Sequence, residues 1–161
     1  MKVIALDFDD CIFPSEGTYA GRTDDAIDLL KINLKRLKLI LDKYKAKVFI
    51  TSSWSSILTL NQFGEIQMKD RGLQVPLTTK PYYQLENQAF CQLKLYLDGY
   101  VIGLSEGNRE NDIETLKKDN SVVIIDDWDL SNLQDKNCLY CRTVGHIDNH
   151  IIYNIHNFWK D

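Results

Sequence analysis

Acidic and hydroxyl side chains follow three short apolar runs of the chain, at the points where buried strands would end. In chain order they are Asp7 and Asp9, Thr51 and Ser52, and Asp126 and Asp127. Carboxylates that converge from different strands repel one another unless a hard cation neutralises them. Magnesium suits such a set because it takes oxygen ligands, keeps part of its water shell and bridges to phosphate oxygens. The pattern therefore predicts a Mg²⁺ site at this cluster of carboxylates.

The elements that would position these side chains alternate along the chain. Apolar runs predict five strands, at residues 2–6, 47–50, 100–104, 122–125 and 138–141. Apolar residues three or four positions apart predict an amphipathic helix over 24–45, and further helices are predicted over 112–118 and 148–159. The less regular stretch 57–98 favours two helices around an irregular segment.

This alternation predicts an α/β fold with a three-layer, Rossmann-like parallel sheet of about five strands and helices on both faces. In open sheets of this kind the ligand crevice lies at the carboxyl ends of the strands, so the three polar segments are expected to converge there. The 161 residues, 44% of them apolar, suffice for one core. We therefore predict a single domain over 1–161.

The composition restricts the partners and the location of the protein. A formal charge of −4 argues against sequence-independent binding to nucleic acid, which needs a basic surface. A phosphorylated ligand is still compatible, because a few local cations, backbone N–H groups or a metal can hold it. The chain has no leader pattern and no apolar run near the ~20 residues that span a bilayer. We expect a cytoplasmic protein without membrane contact.

The ordered motifs resemble those of the haloacid dehalogenase superfamily. Its first motif, Asp-x-Asp after the first strand, is matched by Asp7-Phe8-Asp9. Its second motif, a Thr or Ser after the second strand, is matched by Thr51 or Ser52, and its fourth, a paired acid, by Asp126-Asp127. The resemblance covers residues 3 to 127 and depends on the order and strand-end placement of the motifs.

A narrower resemblance is to the small, cap-poor branch associated with RNA-repair proteins. It implies a minimal cap, restricted to 13–22 and to the irregular stretch between the second and third strands. The similar segments are Ile50 to Trp54, Val101 to Ser105, the residues Arg109, Asp112, Ile113 and Leu116, and Ile125 to Asp127. Arg109 falls where that branch carries the basic residue of the third motif, and Lys80 and Lys117 are the alternative cations. Most members of the superfamily use lysine at this position, whereas arginine is a planar, always charged donor.

The resemblance implies a Mg²⁺-dependent phosphatase that acts on a phosphomonoester, such as a phosphorylated small molecule, a nucleotide or a nucleic-acid end. Asp7 is then the nucleophile that forms an aspartyl phosphate, and Asp9 is the general acid and base. Thr51 or Ser52, together with Arg109, would hold the phosphoryl oxygens. The metal ligands implied are Asp7, Asp9, Asp126 and Asp127.

The alternative function is a catalytically silent or receiver-like module that binds a phosphate or a metal. Acidic residues after the first strand and Thr79-Lys80-Pro81 favour it, because receiver domains have comparable features. A receiver, however, places its acceptor after the third strand, where Leu104 is followed here by Ser105-Glu106. The receiver interpretation also leaves the acidic pair Asp126-Asp127 without a role.

Four cysteines raise the question of thiol or zinc chemistry. Without a secretory context, Cys11, Cys91, Cys138 and Cys141 are interpreted as reduced thiols. Cys11 lacks a phosphate-cradling loop after it and is interpreted as a packed side chain. The gap between Cys141 and His146 is too short for a zinc finger, and the two cysteines of the last strand would face opposite sides. A zinc site is therefore not expected, and Trp54 is interpreted as a packing residue.

Overall fold

The computed structural model describes residues 1–14, 24–69 and 81–160, and these form seven strands and four α-helices. In chain order they are β1 (Lys2–Leu6), α1 (Asp24–Tyr44), β2 (Lys47–Ile50), β3 (Leu58–Leu60), β4 (Ile66–Met68), α2 (Pro81–Leu97), β5 (Val101–Leu104), α3 (Arg109–Asp119), β6 (Ser121–Asp126), β7 (Cys138–Arg142) and α4 (Asn149–Trp159). Short 3₁₀ helices lie at Ser53–Ile57 and Ser131–Leu133. All five strands expected from the apolar runs are confirmed.

The described part of the chain contains a five-stranded parallel sheet in the order β5-β2-β1-β6-β7. The predicted α/β class and three-layer parallel sheet are therefore confirmed. The chain adds strands on one side of β1 up to β5 and then continues on the other side with β6. This reversal opens a crevice at the carboxyl ends of β1 and β6, which is where ligands bind in open α/β sheets.

Apolar side chains on both faces of the sheet explain the continuous apolar strands. On one face α1, α2 and α4 pack against alternate strand residues such as Ile4 and Ile125. On the other face α3 packs through Ile113 against Ala5 and Ile124. Of the six apolar residues whose spacing predicted α1, Tyr44 is half-buried, and five are buried: Ile27, Leu30, Leu34, Leu37 and Leu41. None of the helices in the described ranges has the length and apolar character needed to cross a membrane.

The prediction of a helix directly after residue 57 is wrong. The chain instead forms an antiparallel hairpin from β3 and β4, with Leu58 and Ile66 buried. Its turn is built by Asn61, whose Oδ1 accepts hydrogen bonds from the backbone N–H of Phe63 and Glu65. The strands are three residues long, too short for alternation to distinguish them from helix. The second predicted helix is confirmed as α2, which begins at Pro81, where the missing proline N–H costs nothing.

α3 begins at Arg109, earlier than the apolar pattern indicated, because Asn108 caps it. The Asn108 Oδ1 accepts a hydrogen bond from the Asn111 N–H at 3.1 Å. An asparagine at this position satisfies one of the N–H groups that a first helical turn leaves unpaired. The cap therefore places Arg109 in the first turn of a helix that starts a few residues after the carboxyl end of β5.

One buried asparagine on α1 forms hydrogen bonds with the loop after β1 and with the segment between β7 and α4. Asn33 is 1% exposed and donates through Nδ2 to the carbonyl oxygens of Ile12 and Gly145, each at 2.9 Å. Its Oδ1 accepts from the Ile147 N–H at 2.9 Å. The same side chain thus connects the loop that follows Asp7 with the segment between β7 and α4.

Replacing Asn33 with alanine should destabilise the protein by about 3 kcal/mol, since it leaves three buried backbone groups without their partner. The measurement is the free energy of unfolding in urea. Lys35→Ala is the matched control, because it truncates an exposed side chain of the same helix and should change the stability by no more than ~0.5 kcal/mol. Equal stability of the two variants would contradict the role given to Asn33.

Candidate functional site

Polar residues of three adjacent strands lie side by side at the carboxyl edge of the sheet. Strand pairing continues past the end of β1, because the Asp7 N–H donates to the Ile125 carbonyl at 3.0 Å. In the same way the Thr51 N–H donates to the Leu6 carbonyl at 2.9 Å. Asp126 ends β6 directly beside Asp7. The expected convergence of the three polar segments is therefore confirmed.

Three carboxylates form the centre of this edge. Asp7, Asp126 and Asp127 each offer one oxygen, and these oxygens all lie within 4.8 Å of one another. Asp7 and Asp126 are buried, and the Asp127 Oδ1 is a buried atom without a hydrogen-bond partner among the described residues. A cluster made only of carboxylate oxygens fits a hard divalent cation such as Mg²⁺. Within the described residues this group does not include Asp9, the fourth ligand that the resemblance implied.

The proximity of these acids changes their protonation. Burial, a hydrogen bond with the Asp127 carboxyl and the charge of Asp126 raise the pKa of Asp7 to about 8, against the opposing charge of Arg109. Burial also raises the pKa of Asp126, although the Arg109 guanidinium lowers it. A divalent cation held by these oxygens would favour their charged forms and lower both pKa values. Full ionisation of the cluster thus requires additional positive charge.

Arg109 is the cation that the fold brings to the carboxylates. Its Nη1 donates to both oxygens of Asp126, at 2.9 and 2.8 Å, and lies 3.7 Å from the Asp7 Oδ2. Lys117, one of the alternatives, is bound elsewhere, 2.9 Å from the Asp135 carboxylate and 2.8 Å from the Leu133 carbonyl. Lys80, the other alternative, lies outside the described residues. Of the two described candidates, Arg109 is the one at the site.

Asp9 lies at the wall of the site, where a tryptophan holds its carboxylate. The Trp54 Nε1 donates to the Asp9 Oδ2 at 3.0 Å. The indole is 6% exposed and packs edge-on against Phe8, with ring centroids 5.9 Å apart. Trp54 is therefore a packing residue, as the sequence indicated, and it also orients Asp9, which the sequence did not indicate.

The two hydroxyl candidates of the second strand end differ in their surroundings. The Ser52 Oγ caps the first 3₁₀ helix by accepting a hydrogen bond from the Trp54 N–H at 3.2 Å. The Thr51 Oγ1 is buried and has no hydrogen-bond partner among the described residues. A buried hydroxyl without a partner is costly. This difference favours Thr51 as the hydroxyl that a ligand would engage.

An open cleft of about 1110 Å³ gives access to these groups. Its wall includes Asp7, Asp9, Thr51 and Arg109, together with the indole of Trp128. The sequence analysis did not single out Trp128, although it directly follows the acidic pair. The Arg109 Cζ lies 3.7 Å from the centroid of the Trp128 ring, so the guanidinium packs on the indole face. A cleft of this size accommodates a ligand as large as a nucleotide.

Cys11, Cys138 and Cys141 show the features of structural rather than reactive thiols, whereas Cys91 is exposed. Cys11 is fully buried, and burial together with the charge of Asp7 raises the pKa of its thiol well above the ordinary range. Cys138 and Cys141 pack into separate core clusters on opposite faces of the sheet, as their spacing predicted. Burial raises the pKa of Cys138 to about 11 and that of Cys141 to about 12. These thiols are protonated at neutral pH and poorly suited to bind zinc.

Comparison with known proteins gives no relative for this chain: no family model, curated protein or solved structure matches it.

The stability of the metal-free protein should fall as the pH rises. Asp7 has an ordinary pKa of 3.8 and a folded-state pKa of about 8, so the folded protein retains a proton that the unfolded chain releases between these values. A divalent cation such as Mg²⁺, if held by the deprotonated cluster, would restore the lost stability. At a concentration ~100 times its Kd it should raise the Tm by roughly 5–10 °C near pH 8 and by less near pH 5.

Thermal unfolding with and without MgCl₂ at the two pH values measures this effect. Asp127→Asn should remove most of the Mg²⁺-dependent increase in Tm, because it deletes a charged ligand. Asp119→Asn makes the same substitution at an exposed position and should retain the increase. An equal increase in both variants would contradict a metal site at the carboxylate cluster.

Proposed function

We propose that this protein is a Mg²⁺-dependent phosphohydrolase that cleaves a phosphomonoester through an aspartyl phosphate on Asp7. The observation that carries the proposal is the convergence of Asp7, Asp126 and Asp127 with the cation of Arg109. Such a group pairs a carboxylate nucleophile with the positive charge that phosphoryl transfer requires. The order of the sequence motifs, which resembles the haloacid dehalogenase superfamily, supports the same activity.

The first step forms a covalent bond between the Asp7 carboxylate and the phosphorus of the substrate. The bond from phosphorus to the ester oxygen breaks, and the leaving oxygen takes a proton from Asp9. Bound Mg²⁺, held by Asp7, Asp126 and Asp127, would neutralise the charge of the carboxylates and of the phosphoryl oxygens. In the second step Asp9 accepts a proton from a water molecule that attacks phosphorus. Inorganic phosphate leaves, and the Asp7 carboxylate is regenerated.

The contact with Trp54 suits Asp9 for this exchange of protons. The Nε1–H of Trp54 fixes the orientation of the carboxyl group by donating to its Oδ2. Trp54 is itself rigid, because it is buried against Phe8 and its backbone is capped by Ser52. A general acid that is held in one orientation at the cleft can reach a leaving oxygen without reorganising.

Arg109 and Thr51 are the groups proposed to hold the phosphoryl oxygens. Arg109 stays charged throughout the pH range of enzymes, so it supplies positive charge and hydrogen bonds rather than a proton. Its guanidinium is already positioned by Asp126 on one side and by the Trp128 ring on the other. The buried Thr51 hydroxyl, which lacks a partner among the described residues, would gain a hydrogen bond from a phosphoryl oxygen. The substrates proposed are phosphorylated small molecules, nucleotides or nucleic-acid ends.

Asp7→Asn should lower the rate of phosphate release by a factor on the order of a thousand or more, because an amide cannot act as the nucleophile. The measurement is the release of inorganic phosphate from p-nitrophenyl phosphate and from nucleotides with MgCl₂. Asp119→Asn is the matched control and should keep the rate of the parent protein. Chelation of Mg²⁺ by EDTA should abolish activity reversibly.

Two outcomes of this experiment would count against the proposal. Equal rates for Asp7→Asn and the parent protein would exclude Asp7 as the nucleophile. A phosphorylated protein that accumulates on Asp7 without releasing phosphate would instead support the receiver-like or catalytically silent module.

A further inference from the structure

Trp128 is an exposed aromatic side chain on the wall of the cleft. It is 56% exposed, although the guanidinium of Arg109 packs 3.7 Å from its ring centroid. The guanidinium packs on one face of the indole, and the residue as a whole is still more than half exposed. The wall of the cleft therefore contains an exposed aromatic side chain in contact with the cation that is proposed to bind the phosphoryl group.

The backbone of Trp128 is held on both sides. Its N–H donates to the Asp126 Oδ1 at 3.0 Å, and its carbonyl oxygen accepts a hydrogen bond from the Tyr140 hydroxyl. The first contact connects Trp128 directly to a residue of the carboxylate cluster. An aromatic surface on a fixed backbone binds a flat ligand with little loss of conformational entropy.

The positions of Asp7, Arg109 and Trp128 restrict the kind of ligand that could contact both Asp7 and Trp128. Arg109 Nη1 lies 3.7 Å from the Asp7 Oδ2, and the Arg109 Cζ lies 3.7 Å from the Trp128 centroid. Because the Arg109 guanidinium contacts both Asp7 and the Trp128 ring, a ligand that reaches both needs a spacer between its phosphoryl group and its flat ring. A pentose provides such a spacer. In an aryl phosphate, by contrast, the ring carries the phosphate directly.

We propose that Trp128 is the stacking surface for the base of a free nucleoside monophosphate, whose phosphate is the group cleaved at Asp7. The inference rests on the proposed function, because that function places the phosphoryl group beside Asp7. Stacking on an indole tolerates any base, since every base has a π face. Trp128 would thus select for the presence of a base, and not for a particular base.

The charges around the cleft favour a free nucleotide over the end of a polymer. The described residues of its wall that carry charge are the acids Asp7, Asp9, Asp10, Glu106, Glu110 and Asp127 and the cations Lys69 and Arg109. A nucleic-acid strand would bring further phosphates toward these acids, and proteins that bind strands line their grooves with cations. A free mononucleotide brings only the phosphate that binds beside Asp7. Arg109 and the proposed Mg²⁺ would neutralise the charge of that phosphate, so the repulsion is avoided.

Calorimetric titration with adenosine 5′-monophosphate and with ribose 5-phosphate tests the stacking surface. An Asp7→Asn background with MgCl₂ prevents turnover during the titration. The nucleotide should bind about tenfold or more tightly than ribose 5-phosphate. Trp128→Ala should reduce this ratio to about one, whereas Trp128→Phe, which keeps an aromatic ring, should retain most of it.

Two controls separate stacking from other effects of the substitution. Tyr153→Ala removes an aromatic side chain that is 61% exposed on α4 and should leave the ratio unchanged. Any loss of support for Arg109 in Trp128→Ala should weaken both ligands, and it therefore cancels in the ratio. Circular dichroism verifies that each variant is folded.

The proposal would be overturned if the protein that retains Trp128 bound adenosine 5′-monophosphate and ribose 5-phosphate equally tightly. It would also be overturned if Trp128→Ala left the ratio of the two affinities unchanged. Tighter binding of a dinucleotide with a terminal phosphate than of the mononucleotide would overturn the choice of a free nucleotide. If the proposed function is wrong, the result is different: the protein with Asp7 intact then releases no phosphate from adenosine 5′-monophosphate or from ribose 5-phosphate. The ratio of affinities still decides whether Trp128 stacks on a base.

Discussion

The mutual repulsion of buried carboxylates at the ends of β1 and β6 is the constraint on which the site depends. Asp7 and Asp126 are adjacent because the two strands are paired in parallel and in register up to their last residues. Burial makes their charges costly, and a single guanidinium, that of Arg109, contacts both. Binding of a cation, a proton or a ligand at this edge would therefore change its charge balance.

Other parts of the fold position the side chains at this edge of the sheet. The Asn108 cap starts α3 at the residue whose side chain reaches the carboxylates. Asn33 holds the loop after Asp7, and the first 3₁₀ helix supplies the indole that contacts Asp9. The Trp128 indole packs against the Arg109 guanidinium. The polar groups at the centre are thus held by buried or capped neighbours, as a preorganised site requires.

The sequence predicted the elements that have strong local signals. Strands buried on both faces appear as continuous apolar runs, and strand ends converge by topology, so the positions of Asp7 and Asp126 could be inferred. The β3–β4 hairpin could not, because three-residue strands carry too little periodicity. The contacts of Trp54 and Trp128 were also missed, since they depend on side chains distant in sequence. The one local signal was their position next to the second and fourth motifs.

Trapping of the covalent intermediate tests the central claim most directly. The protein would be mixed with a phosphomonoester and MgCl₂, quenched in acid during turnover, digested and analysed by mass spectrometry. We predict one phosphoryl group on the peptide that contains Asp7, which hydroxylamine removes as it does from an acyl phosphate. Turnover with no phosphorylated peptide, or with the phosphoryl group on Thr51 or Cys11, would contradict an aspartyl phosphate on Asp7.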